Sequence, residues 1–116
     1  MSVAVFGTYG FEAAHFLPRV PEGHKCRRMH GHSYKLDVSV SGELDSRGFV
    51  LDYAELDGAV QPFVDSLDHR ILNEIAGLEN PTSENLALWF KDRIGAALNQ
   101  VPTVRVYETP RHWVEA

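Results

Sequence analysis

From His30 to Gly42 the chain alternates between apolar and polar residues without a break. His30, His32, Tyr34, Leu36, Val38 and Val40 fall on one side, and Ser33, Lys35, Asp37, Ser39 and Ser41 on the other. Successive side chains of a strand point to opposite faces, so this is the period of a half-buried antiparallel strand with its apolar side on a core. The two histidines sit at the end of that otherwise apolar side. Polar rings in such a place need partners, and a metal ion supplies one.

Val3 to Leu17 reads as another long strand, with Val3, Val5, Tyr9, Phe11, Ala13, His15 and Leu17 in phase and Phe6 and Phe16 out of phase. Gly7 and Gly10 predict a bulge or a close backbone approach. Pro18 and Pro21 end the strand, and a loop runs on to Cys26. After Asp52 the period changes. Leu56, Val60, Phe63, Val64 and Leu67 form a helical stripe. Asp52 and Glu55 are spaced as a capping box, and Pro62 predicts a kink or a lost hydrogen bond. A loop carries Leu67-Asp68-His69 to about Gly77. Pro81-Thr82-Ser83-Glu84-Asn85 then opens a second helix, with Thr82 or Ser83 as N-cap and Leu86, Trp89, Phe90, Ile94, Ala97 and Leu98 inward. Asn99 and Pro102 end it. Thr103 to Thr109 is a third strand and His112 to Val114 a short fourth.

The order β-β-α-α-β-β predicts an α+β fold, a four-stranded antiparallel sheet with two helices on one face. The bare face and the edges then need cover, which a homo-oligomer supplies. At 116 residues the chain reads as one domain, 1–116. No apolar run approaches the ~20 residues of a membrane helix, and no secretory signal is visible. A lone cysteine cannot form an internal disulfide, which fits a reducing compartment and a cytoplasmic protein. The net charge of −5 argues against a nucleic-acid binder. Arg19, Lys25, Arg27, Arg28 and Lys35 nevertheless cluster with His24, His30 and His32, opposed only by Glu22. That cluster is either a solvated loop or a field that draws an anionic small molecule.

His30 and His32 share a strand face, and His15 is the natural third ligand from the end of the other long strand. Three imidazoles without a fourth protein ligand make an open, catalytic metal site; Cys26 as fourth ligand makes a closed, structural one. Zinc suits these nitrogens, as do copper, iron and nickel. Glu108 falls in phase with Val104 and Val106. There it reaches water at a strand end or grips a ligand that offers two N–H donors. Asp68-His69 pairs a carboxylate with an imidazole, as proton transfer requires. Cys26, beside Lys25, Arg27 and Arg28, is a candidate thiolate base or nucleophile, or else an inert buried thiol.

Several motifs recur together: Phe11-Glu12-Ala13-Ala14-His15, Cys26-x-x-x-His30-Gly31-His32, Leu67-Asp68-His69, Pro81-Thr82-Ser83-Glu84-Asn85 and Tyr107-Glu108-Thr109. In this order, from about residue 4 to about residue 109, they resemble the 6-pyruvoyltetrahydropterin synthase superfamily. Pro21-Glu22-Gly23-His24-Lys25-Cys26 and the short Cys-to-His spacing resemble its 6-carboxytetrahydropterin synthase branch, of queuosine biosynthesis. The resemblance implies a tunnelling fold in which trimers close a β-barrel and two trimers stack as a hexamer. It implies zinc on His15, His30 and His32. Cys26, Asp68 and His69 would move protons, the latter two from a neighbouring subunit. Glu108 would anchor a pterin, with Thr109, Thr82 and Ser83 assisting. The implied reaction converts 7,8-dihydroneopterin triphosphate to 6-carboxy-5,6,7,8-tetrahydropterin, acetaldehyde and triphosphate. Pro110-Arg111-His112-Trp113 matches no motif of the family, and His112 has no implied role.

Overall fold

A computed structural model describes residues 2–116. Strands β1 (Val3–His15) and β2 (His30–Gly42) form one long antiparallel pair, in register from Val3↔Gly42 to His15↔His30. No bulge interrupts it, and a Cβ at Gly10 would meet the Tyr34 carbonyl of β2 at 3.6 Å. A Cβ at Gly7 would stand 2.6 Å from the Tyr9 hydroxyl. Glycine there leaves room for Tyr9, whose hydroxyl donates to Asp57 at 2.6 Å. β1 stops at His15 rather than Leu17, because the next two amides turn away from the sheet. Phe16 N–H donates to Asn73 Oδ1 (3.0 Å) and Leu17 N–H to the Cys26 carbonyl (2.8 Å).

Helix α1 (Tyr53–Leu67) starts on Asp52, whose carboxylate accepts from Ala54 N–H at 2.9 Å. Glu55, the expected second half of a capping box, instead lies 3.7 Å from Arg47. The helix runs unbroken through Pro62, which offers no N–H to the Gly58 carbonyl one turn back. Helix α2 (Ser83–Leu98) is capped by Thr82, which accepts from Asn85 N–H at 3.1 Å. It ends on Asn99 in the left-handed conformation, φ 54°. Its last turn packs through Leu98 and leaves Ala97 exposed, where the helical stripe had put Ala97 inward. Neither helix is long and apolar enough to cross a membrane.

Strands β3 (Arg70–Ile71), β4 (Thr103–Thr109) and β5 (His112–Glu115) complete a sheet of order β3-β1-β2-β4-β5. The expected four-stranded, wholly antiparallel sheet is therefore corrected to five strands, with β3 parallel to β1. Two residues carry no alternation, so the periodicity of the sequence cannot reveal β3. It forms because the loop after α1 is fastened to β1, where His69 N–H donates to the Glu12 carbonyl.

Both helices cover one face of the sheet. Leu36, Val38, Val104 and Val106 meet Leu56, Val60, Phe90 and Ile94 there, all at most 1 % exposed. Each such side chain contributes about 1.5–3 kcal/mol by leaving water. Phe11 stacks on Tyr34 (5.0 Å) and tilts against Phe90 (5.7 Å), and this aromatic wedge closes the core beneath the histidines. The opposite face, with Phe6 and Trp113, is bare.

Candidate metal centre and active site

The strand register builds the centre. His15 sits directly opposite His30, and His32 lies two residues further along the same face of β2. Side chains directly opposite in an antiparallel pair stand side by side. The three rings meet edge-on, with centroids 4.6, 5.1 and 4.9 Å apart. One nitrogen from each lies within 4.8 Å of the others, and among the described residues these three make the group able to hold a metal ion.

Their outer partners fix which nitrogen is bare. His15 Nδ1 lies 2.8 Å from the Pro81 carbonyl, and His30 Nδ1 lies 2.7 Å from the Arg28 carbonyl. A carbonyl only accepts, so each ring carries its proton on Nδ1 and keeps a lone pair on Nε2. Those two Nε2 atoms are 3.1 Å apart. Two lone pairs facing each other repel unless a cation lies between them. Nitrogens held at 2.0–2.1 Å by one tetrahedral ion stand about 3.3 Å apart. The third nitrogen, His32 Nε2, is buried without a hydrogen-bond partner. The donor set therefore fits a divalent ion.

Burial holds the pKa of both His15 and His32 below the ordinary imidazole value. Metal binding needs neutral rings, so this favours loading in mildly acid solution. It also sets a pH dependence for the metal-free fold. The unfolded rings titrate at about 6.5, and the folded ones only at lower pH. Between these limits the unfolded chain binds more protons. Stability contributed by these rings is thus complete above about pH 6.5 and declines as pH falls toward the folded pKa values. Denaturant melts in chelator from pH 8 to 5 are expected to show the decline. A flat profile over that range would refute it.

Glu108 reaches the same place by a bulge. Tyr107 pairs with Trp113 but Thr109 with His112, so Glu108 is the extra residue of β4. Its carboxylate lies 3.5 Å from His15 Nε2 and 3.6 Å from His32 Nε2. Tyr34, in phase with the histidines on β2, lies beneath them with its hydroxyl 3.3 Å from His15 Nδ1. Burial, and then the Glu108 charge, push the Tyr34 pKa far up, so this hydroxyl stays neutral.

The other predicted residues gather elsewhere. Asp68 accepts from His69 Nδ1 at 2.9 Å and from Glu12 N–H at 2.9 Å. The Glu12 amide first, then His69, hold its carboxyl below the usual range. His69 takes a left-handed backbone, φ 59°, and its side chain is 78 % exposed. Among the described residues, the side-chain bonds of this pair run to Glu12 and to each other, not to the histidine triad. His69 and His32 do line one open hollow of about 440 Å³, with Glu12, Ser33 and Arg70.

Cys26 sits half-exposed in a 3-10 turn (Lys25–Arg27), its N–H donating to His24 Nδ1 at 3.0 Å. It is outside the triad. Arg27 is engaged in its own loop, donating to the carbonyls of Val20 (2.8 Å) and Pro18 (3.4 Å). The hydroxyl of Thr82 caps α2, and half-buried Ser83 begins it. The Thr109 hydroxyl accepts from the amides of Arg111 (3.2 Å) and His112 (3.1 Å), closing the β4–β5 turn. Sequence reasoning missed Tyr34 and the carbonyls of Pro81 and Arg28. Period two marks Tyr34 as a neighbour of the histidines; backbone carbonyls carry no such mark.

Three imidazole nitrogens beside a half-buried carboxylate, at one end of a sheet, make a group that could hold a metal ion. The family model described as 6-pyruvoyl tetrahydropterin synthase matches residues 5–116, and the chain belongs to that family. It is 39% identical over 112 residues to a 6-carboxy-5,6,7,8-tetrahydropterin synthase of Synechocystis, covering 90% of this chain and 85% of that one. It is 39% identical over 94 residues to a dihydroneopterin monophosphate aldolase of Pyrococcus furiosus, covering 81% and 76%. The structure of Caenorhabditis elegans 6-pyruvoyl tetrahydropterin synthase superposes with a TM-score of 0.91 at 26% identity, over 100% of this chain and 95% of that one. The chain is accordingly an enzyme, a lyase of the 6-carboxytetrahydropterin synthase kind.

Proposed function

We propose that the chain is a zinc-dependent carbon–carbon lyase. It converts 7,8-dihydroneopterin triphosphate to 6-carboxy-5,6,7,8-tetrahydropterin, acetaldehyde and triphosphate, on the route to queuosine in the cytoplasm. The observation that carries this reading is the convergence of bare Nε2 atoms on His15 and His30, with the orphaned Nε2 of His32, beside Glu108.

His15, His30 and His32 hold the zinc, which supplies Lewis acidity toward the hydroxylated arm of the substrate. Glu108, with two acceptor oxygens, grips the amino-pyrimidine edge of the pterin, which presents two N–H donors. Thr109, and Thr82 with Ser83 from a neighbouring subunit, assist in that grip. Cys26 accepts a proton from the substrate arm as a thiolate. Asp68 orients the His69 ring through Nδ1 and leaves Nε2 free to move a second proton, in the site of an adjacent copy. The exposure of His69 and the bare outer face of the sheet support such an assembly, a hexamer of two stacked trimers. Arg28, Lys25 and His24 remain for the triphosphate, since Arg27 is tied into its loop. No nucleic acid or membrane takes part.

Incubating the zinc-loaded enzyme with 7,8-dihydroneopterin triphosphate is expected to release acetaldehyde and triphosphate in equal amounts. Triphosphate without acetaldehyde would indicate 6-pyruvoyltetrahydropterin synthase activity instead. The Pyrococcus relative carries another reading, aldol cleavage of a monophosphate substrate. In that case the phosphate leaves on the released fragment, and acetaldehyde does not form.

Cys26→Ala separates catalysis from a purely structural zinc site. The variant is expected to retain zinc and melt like the parent while losing about 10²–10⁴-fold in turnover, the usual loss for a general acid or base. Zinc assay and thermal melts decide the matter. Loss of both zinc and stability would make Cys26 a fourth ligand of a non-catalytic oligomer.

A further inference from the structure

We propose that Asn85 is a positioning residue for the metal centre, acting through the turn before α2 on the protonation site of His15. The inference rests on the metal reading above.

His15 is fully buried, and its Nδ1 has two neighbours of different chemistry. The Pro81 carbonyl, at 2.8 Å, can only accept. The Tyr34 hydroxyl, at 3.3 Å, can accept or donate. While the carbonyl holds its place, Nδ1 keeps the proton and Nε2 offers its lone pair to a metal. If the carbonyl swings away, the hydroxyl is left as the nearest partner. It then donates to Nδ1, the ring proton moves to Nε2, and the ligand atom is blocked.

What aims the carbonyl is the start of α2. The Asn80 carbonyl accepts from Asn85 Nδ2 and from Thr82 N–H, each at 2.9 Å. Asn85 N–H in turn donates to the Thr82 hydroxyl at 3.1 Å. Pro81 lies inside this closed loop of bonds. Of its members, the Asn85 side-chain amide is the one a substitution can remove without touching the helix cap.

Asn85→Asp is the test variant. It keeps the shape, deletes the donor and sets a carboxylate against the Asn80 carbonyl. A negative group in the first turn favours the helix, so the fold is expected to survive. Two readouts apply to parent and variant. Zinc affinity is measured by competition with a chromogenic chelator, and the tautomer of His15 by nitrogen NMR of the metal-free protein. The parent is expected to hold His15 as the Nδ1–H form. The variant is expected to mix both tautomers and to bind zinc about 10–100-fold more weakly, the usual cost of losing a group behind a metal ligand. Unchanged zinc affinity or an unchanged tautomer in the folded variant overturns the proposal. So does a parent that carries the proton on Nε2, a measurement that stands even if the variant does not fold. A parent that binds no zinc defeats the metal reading instead, and the tautomer is measured without metal in either case.

Discussion

His32→Ala is expected to empty the centre of zinc and cut turnover by about three orders of magnitude, since a catalytic metal contributes several kcal/mol of transition-state stabilisation and each 1.36 kcal/mol is tenfold in rate. The fold itself should survive. His32 Nε2 is a buried nitrogen with no hydrogen-bond partner, Glu108 standing off at 3.6 Å, so in the metal-free protein it costs stability rather than adding it. Removing the ring relieves that cost and also lowers the repulsion among three crowded imidazoles. The metal-free variant should therefore melt close to the metal-free parent. The difference belongs to the loaded state: zinc at about 1,000 times its dissociation constant stabilises the parent by about 4 kcal/mol and leaves the variant where it was. Metal analysis, melts with and without chelator and an acetaldehyde assay read all three effects. A variant that keeps one zinc per chain and full turnover would remove the triad from the mechanism.

The ligand set was open to reading because period two is robust. Alternation along β2 puts His30 and His32 on the face of Leu36 and Val38, and the odd phase of β1 puts His15 there too. What the alternation cannot give is the register, and it is the pairing of His15 with His30 that makes the rings converge. The phase of β4 likewise set Glu108 on the apolar side. Its position as the extra residue of a bulge depends on how Thr109 pairs with His112, and no local pattern carries that. β3 and the left-handed His69 escaped for a related reason. Both are imposed by bonds from the loop after α1 to the backbone of Glu12, more than fifty residues earlier in the chain. Cys26 and the Asp68-His69 pair were legible as chemical groups, but their distance from the triad within one chain was not. Under the proposed assembly, the exposed Asp68-His69 pair would be free to serve the centre of another chain.

Glu108→Gln tests the other half of the site. The carboxylate faces the centre from 3.5 Å and 3.6 Å, close enough to be either a grip for the substrate or an additional ligand. Glutamine keeps the shape and one acceptor oxygen but replaces the second with an N–H donor. If the partner is a ring edge with two N–H groups, one good bond is lost and one donor meets another. Hydrogen bonds to charged groups contribute about 1.5–3 kcal/mol each, so kcat/KM should fall by about 10²–10³-fold. Zinc should stay, because three imidazoles suffice to hold it. Its affinity should weaken by less than about tenfold, through the loss of a nearby negative charge in a partly solvated setting. The loss should fall mainly on KM, since a group that holds the non-reacting end of the substrate contributes to ground state and transition state alike. Steady-state kinetics and metal analysis on the same preparation give the answer. Zinc lost together with activity would make Glu108 a ligand, and unaltered kinetics would leave it no part in binding the pterin.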